Sequence, residues 1–163
     1  MNGLGEVSIQ EIAEKKLVGK RLSMTFAENK TAELWRGFMP RRSEIQNAVG
    51  STLFSLQVYE NVRFFADFAL NAPFEKWALM EVTDFEQIPV GMKSFVLANG
   101  LYAVFPYKGN PNNPQVFYDI FEKWLPNSRY ELDNRPHFEV LGEKYKHNDD
   151  DSEEEIWIPI RAK

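Results

Sequence analysis

Leu34-Trp35-Arg36-Gly37-Phe38-Met39-Pro40 and Ile120-Phe121-Glu122-Lys123-Trp124-Leu125-Pro126 carry apolar side chains at the same four positions and a proline at the same end, at an offset of 86. The spacing i, i+1, i+4, i+5 is one broad face of a 3.6-residue period, so each stretch is predicted to be an amphipathic helix. In the second, Val116 and Phe117 add a further turn and extend the prediction over Asn112–Leu125. Asn112 or Asn113 can cap its first N–H groups, Pro114 suits the first turn, and Pro126 is expected to end it. The correspondence extends outward. Strand-like stretches precede the helices (Lys16–Phe26 and Leu101–Lys108), and two alternating segments follow each: Leu53–Glu60 and Phe138–Lys146, then Phe74–Val82 and Glu155–Arg161. In the last pair the offset shrinks to 80, with Glu75-Lys76-Trp77 aligned on Glu155-Ile156-Trp157 and a Phe-rich insertion around Asn61–Asn71 accounting for the difference.

The expectation is an α+β fold made of tandem duplicated β-α-β-β units with pseudo-two-fold symmetry, its two main helices on one side of an antiparallel sheet. Each copy is too small for an independent core, so one domain is expected over 1–163, with repeat one at about 15–90 and repeat two at about 91–162. Asn99-Gly100 between two β-prone runs predicts a hairpin that stitches the halves, because both turn positions of such a hairpin favour positive φ.

Composition narrows the chemistry. The chain has 163 residues, 24 acidic and 19 basic side chains, net charge −5, no cysteine and two histidines. Disulfides and thiolate chemistry are excluded, and His137 and His147 offer little for a metal site or a His-based triad, so neither a metal nor a cofactor is expected. A sequence pI near 5.2 argues against direct nucleic-acid binding, which depends on cationic side chains. No apolar run reaches the length of a membrane span and the N-terminus lacks a signal-peptide core, so a cytoplasmic protein without membrane contact is expected. What remains is an excess of aromatics and carboxylates. Residues 101–163 hold 11 of the 23 aromatics and a net charge of −4. The run Asp149–Glu155 reads as a solvated turn.

Strand alternation sorts the candidates. Ile156, Ile158 and Ile160 share one face and should meet the helices, leaving Glu155 and Trp157 on the other. In the neighbouring segment Glu139, Leu141, Glu143 and Tyr145 share a face. If these two carboxylate–aromatic faces meet, they form a cleft suited to an amphipathic or cationic organic ligand.

The ordered set Phe74-Glu75-Lys76-Trp77-Ala78, Ile88-Pro89, Gly91-Met92, Tyr102-Ala103-Val104-Phe105, Trp124-Leu125-Pro126, Phe138-Glu139, Gly142-Glu143-Lys144-Tyr145 and Glu155-Ile156-Trp157-Ile158-Pro159-Ile160 resembles the GyrI-like, or AraC-type effector-binding, domain over essentially residues 15–161. The resemblance implies a tandem β-α-β-β fold with a ligand groove between the repeats, and a glutamate plus aromatics that contact diverse, often cationic and aromatic, small molecules. By position, Glu155 and Trp157 match the acidic and aromatic pair of the last strand, and Glu139 and Tyr145 match the preceding one. Tyr102, Tyr107 and Trp124 are implied walls. Which glutamate lies innermost stays open. No helix-turn-helix region accompanies the match, so a stand-alone member is expected, acting as effector sensor or sequestering module in transcription regulation or drug response. Two alternatives accompany this reading. One is a hydrolase of electrophilic small molecules, with Glu139 or Glu155 as acid or base beside Tyr130 or Tyr145; non-enzymatic binding is preferred over it. The other is a regulator of a protein partner, such as a topoisomerase or a separate transcription regulator, through the 149–155 run or the Asn61–Asn71 insertion.

Overall fold

The computed structural model describes residues 3–163. Its strands are β1 (Gly3–Leu4), β2 (Ser8–Ile12), β3 (Lys15–Met24), β4 (Ala48–Val58), β5 (Phe74–Val82), β6 (Lys93–Leu97), β7 (Gly100–Lys108), β8 (Tyr130–Leu132), β9 (His137–Leu141) and β10 (Glu153–Ala162). The path across the sheet is β2-β7-β10-β9-β4-β5-β3-β6, with β1 also on β7 and β8 also on β10. Every pairing among the described residues is antiparallel.

Side-chain alternation gives this sheet two apolar faces. On one, α1 (Thr31–Phe38) buries Leu34 and Phe38 against Val18 of β3 and Ala78, Met80 and Val82 of β5. A 3₁₀ turn, Met39–Glu44, continues it through Pro40. The second helical rod, α2 (Gln115–Tyr118), a π turn (Asp119–Trp124) and α3 (Leu125–Asn127), buries Val116 and Ile120 against Ala103, Phe105, Ile156, Ile158 and Ile160. The three isoleucines do meet a helix. Trp124 packs edge-on to Phe105, with centroids 5.1 Å apart. The rod's start is held by Asn113, whose Oδ1 accepts from the Gln115 N–H at 3.0 Å.

Pro126 does not end the rod. It falls in the first turn of α3, after the π turn has shifted the bonding pattern, and a proline near the start of a helical segment removes no needed bond. The chain leaves the helix at Ser128, which is extended and whose Oγ donates to the Leu125 carbonyl at 2.8 Å.

The opposite face is enclosed rather than open. Ile12, Leu17, Phe54, Leu56, Trp77, Leu79, Leu97, Tyr102, Val104 and Phe138 form one buried cluster drawn from both ends of the strand path. Two short connections explain how the ends approach. Ala13-Glu14 joins β2 to β3, and Ala98-Asn99 joins β6 to β7, so each crosses from one edge of the sheet to the other.

This topology overturns the Asn99-Gly100 hairpin. β6 pairs with β3 and β7 pairs with β10 and β2, so the strands flanking the dipeptide are not partners. Neither Asn99 nor Gly100 has a positive φ. The glycine serves a different constraint, since a Cβ at position 100 would collide with the Arg135 guanidinium. That group donates to the Leu101 carbonyl at 2.6 Å and the Ile160 carbonyl at 3.1 Å, pairs with Asp133 at 2.8 Å, and lies 4.8 Å over the Tyr102 ring.

Gly100→Ala should therefore lower stability by about 1–3 kcal/mol through displacement of Arg135. Gly50→Ala, where the added Cβ meets nothing, should stay within about 0.5 kcal/mol. Chemical denaturation of the two variants checks the contrast.

Candidate ligand-binding site

Between the two helices the sheet presents the central strands β4 and β9. Their register sets Ser55 opposite Glu139 and Gln57 opposite His137, and across β5 it sets Gln57 opposite Lys76. Glu139 is also opposite Ile156 on β10, so Glu154, two residues earlier, points to the same helix-bearing face. An otherwise apolar face thus acquires a polar strip. Ser55, Gln57 and His137 are buried, and Lys76, Glu139 and Glu154 are half-buried. The Gln57 amide donates to Glu139 Oε1 at 3.4 Å.

Aromatics close one end. Tyr59, following β4, packs edge-on against His137 at 4.9 Å. Phe65, from the insertion, stacks on Phe121 of the second helical rod with centroids 4.6 Å apart and planes 19° apart. Phe65 and Phe121 each lie 6.0 Å from the His137 ring.

Removal from water controls the charge of the strip. Burial pushes the Glu139 carboxyl up to about 7, opposed by Lys76 and the Gln57 amide. Burial, then the nearby Glu139, push Glu154 up to about 8, again opposed by Lys76. Burial lowers the Lys76 ammonium, while Glu139 and Glu154 pull it back. His137 is held neutral, pushed down to about 3 by burial alone. Tyr145 rises to about 12 through burial and the two carboxyls. Near pH 7 Glu139 is thus about half ionised and Glu154 mostly protonated.

The sequence-predicted residues divide between the two faces. Glu139 and Tyr145 belong to the strip. Tyr107 lies on the same face, its hydroxyl donating to the Asn110 carbonyl at 2.9 Å and its ring within reach of the Glu154 charge. Trp124 is there too, but as the helix's seat on Phe105. Glu155 and Trp157 are on the opposite face, because Glu155 is in register with Val140 and Trp157 with Phe138. Trp157 stacks on Phe138 at 5.2 Å, beside Tyr102, and donates its indole N–H to the exposed Glu155 at 3.1 Å. Tyr102 is fully buried and donates to the Pro136 carbonyl at 2.8 Å. Glu143 is exposed, because β9 ends at Leu141 and a turn follows, closed by the Tyr145 N–H on the Gly142 carbonyl. The two carboxylate–aromatic faces therefore do not meet in one cleft. Nor are Glu139, Glu155 and Tyr130 brought together: Glu155 is across the sheet and Tyr130 pairs with Ala162 at the far end of β10.

Sequence reasoning missed Glu154, Lys76, Gln57 and Phe65. The signal for Glu154 and Lys76 was parity, since Glu154 alternates with Ile156 and Lys76 with Ala78 and Met80 on helix-facing positions. Two surface hollows, one lined by Lys20, Arg21, Glu33 and Lys93 and the other by Glu44, Gln46 and Glu86, lie elsewhere. Neither joins buried titratable groups to an aromatic wall, so the central strip is the better candidate. Among the described residues no three His, Asp or Glu side chains converge as a metal site, and no helix is long and apolar enough to cross a membrane.

An antiparallel sheet carrying two helices and a polar, aromatic-walled strip defines a small-molecule-binding class of α+β domain. The chain belongs to the family of GyrI-like small molecule binding domains, whose model matches residues 5–161. Its fold is shared by the integron cassette protein VCH_CASS2 of Vibrio cholerae, with TM-score 0.66 and 19% identity over 98% of each chain. SAV2435 bound to tetraphenylphosphonium superposes with TM-score 0.65 and 18% identity, covering 96% of this chain and 94% of that one. A protein described as a hydrolase from Listeria innocua gives TM-score 0.61 and 8% identity, covering 96% and 92%. At these identities the likeness is one of fold. No curated protein sequence matches the chain.

The titrations predict a pH profile of stability. Glu139 and Glu154 have folded values above the ordinary carboxylate range, so their contribution is present at low pH and lost as pH rises through about 7 and about 8. His137 has a folded value below the ordinary 6.5, so its contribution is present above that and lost as pH falls toward about 3. Above about 4.5 the two carboxyls hold protons that the unfolded chain has released, which outweighs the one proton that buried His137 declines, so thermal unfolding should be most resistant at about pH 4 to 5. The double change Glu139→Gln and Glu154→Gln should flatten the alkaline side and leave the acid side in place.

Proposed function

We propose that the strip between the helices is the ligand site of a binding module for organic cations that carry aromatic groups, serving as an effector sensor or a sequestering protein. The observation that carries this reading is the placement of Glu139 and Glu154, carboxyls that burial pushes up to about 7 and about 8, on the same sheet face as the aromatic group that Phe65, Phe121 and Tyr59 form around His137. A cation without a tight hydration shell can replace the carboxyl protons, while its aromatic groups exchange water for the ring faces. Tetraphenylphosphonium, bound by SAV2435, has this chemistry. Glu155 and Trp157 lie outside this proposed site.

The reading includes an internal duplication with a pseudo-two-fold axis between β4 and β9, relating a repeat over about 15–90 to one over about 91–162. Its support is the palindromic strand path, β3-β5-β4 against β9-β10-β7. The indole–carboxylate bonds of Trp77 with Glu75 and Trp157 with Glu155, both 3.1 Å, add to it.

Titration calorimetry with tetraphenylphosphonium tests the site. Affinity should rise about tenfold from pH 6 to pH 8, as a carboxyl titrating near 7 goes from mostly neutral to mostly ionised. Glu139→Gln should remove most of that rise, and Glu155→Gln should leave it intact. Binding that is equal at both pH values and indifferent to Glu139→Gln would sink the reading.

A further inference from the structure

The cation site gives Lys76 of the strip no role. Lys76 extends from β5 onto the face shared with Ser55, Gln57 and Glu139, yet its Nζ makes no hydrogen bond or ion pair with any described residue. Other lysines are engaged or at the surface: Lys15 pairs with Glu81, Lys123 with Asp119, Lys144 with Glu153, and Lys163 donates to the Pro126 carbonyl. Lys76 is half-buried and feels the charges of Glu139 and Glu154, with Gln57 opposite it across the strand pair. Burial favours its neutral amine, the nucleophilic form.

We infer that Lys76 is a carbonyl-capturing amine, whose Nζ forms an imine with aldehydes or ketones that enter the strip against the Phe65–Phe121 wall. The inference rests on reading the strip as a ligand site. The Nζ lone pair attacks the carbonyl carbon, the C=O π pair moves to oxygen, and a proton passes from nitrogen to that oxygen to give the carbinolamine. A neutral carboxyl, Glu154 or Glu139, then protonates the hydroxyl, which leaves as water while the nitrogen lone pair closes the C=N bond. The products are one protonated imine and one water. The carboxylate left behind faces the new cationic nitrogen, so capture creates inside the strip the same charge pattern that an organic cation would bring to it.

Reductive trapping tests the inference on the full chain, with benzaldehyde as probe and sodium cyanoborohydride to fix the imine at pH 7, followed by peptide mapping. Lys76 should gain a benzyl group at least about tenfold faster than the other ten lysines of the sequence, and saturating tetraphenylphosphonium should slow it. Lys76→Arg should abolish the fast phase, because a guanidinium forms no imine. Labelling spread evenly over the lysines, or an unchanged fast phase in Lys76→Arg, overturns the inference. The wild-type map decides even if that variant fails to fold. Tetraphenylphosphonium binding without preferential labelling refutes capture and spares the cation site; preferential labelling without tetraphenylphosphonium binding does the reverse.

Discussion

The antiparallel pairing of β4 with β9 is the constraint on which the rest depends. Five residue pairs, from Leu53 with Leu141 to Gln57 with His137, join the two halves of the sheet at its middle. The helices lie to either side of this seam, α1 over β3 and β5 and the second helical rod over β7 and β10, so the seam is the stretch of helix-side surface between them. A one-residue slip of β9 on β4 would turn Glu139 to the enclosed face and bring Phe138 to the helix side. The apolar cluster of the enclosed face, which holds Leu56, Phe138, Trp77 and Tyr102, guards against that slip.

The same seam explains the electrostatics. Glu139 has β4 on one side and β10 on the other, so it is shielded from water by sheet rather than paired with a cation at contact distance. Its neighbours temper its burial without cancelling it: Lys76 supports ionisation, and the Gln57 amide reaches it only at 3.4 Å. Glu154 then feels a second carboxyl across the strip and is raised further. A structural ion pair would have settled into contact geometry, as Arg41 and Glu44 do at 2.8 Å. The groups of the strip are left poised instead, which is the condition in which a ligand changes their protonation.

Much of the architecture was legible because it follows local periods. The two helices, their apolar faces and the helix-facing Ile156, Ile158 and Ile160 could be read from spacing alone, and so could most strand positions. Within the candidate site, Glu139 and Tyr145 were legible, while Glu154 was hidden in an acidic run whose other members are mostly solvated. Lys76 read as the middle residue of a stretch, Glu75-Lys76-Trp77, aligned on Glu155-Ile156-Trp157, and only the register of β5 on β4 shows where it points. The supposed turn at Asn99-Gly100 failed for a related reason. Its dipeptide is a sound local signal, but the partners of β6 and β7 are chosen by distant strands. Phe65 could be assigned to no face from sequence, since an irregular insertion has no period to read, and its partner Phe121 is on the other half of the chain.

The short crossovers Ala13-Glu14 and Ala98-Asn99 bear on how the protein folds. Because β2 serves β7 and β6 serves β3, no half of the chain holds a complete set of its own strand partners. The seam pairs residues 80 to 88 positions apart, and such long-range closures slow folding, since chain entropy is surrendered before the contacts return it. Separated halves would expose β4 and β9 as unpaired edges, β4 being 11 residues long, and unpaired edges seek other strands. The polar strip between the helices draws its residues from both halves, so it is complete only once β4 and β9 have paired.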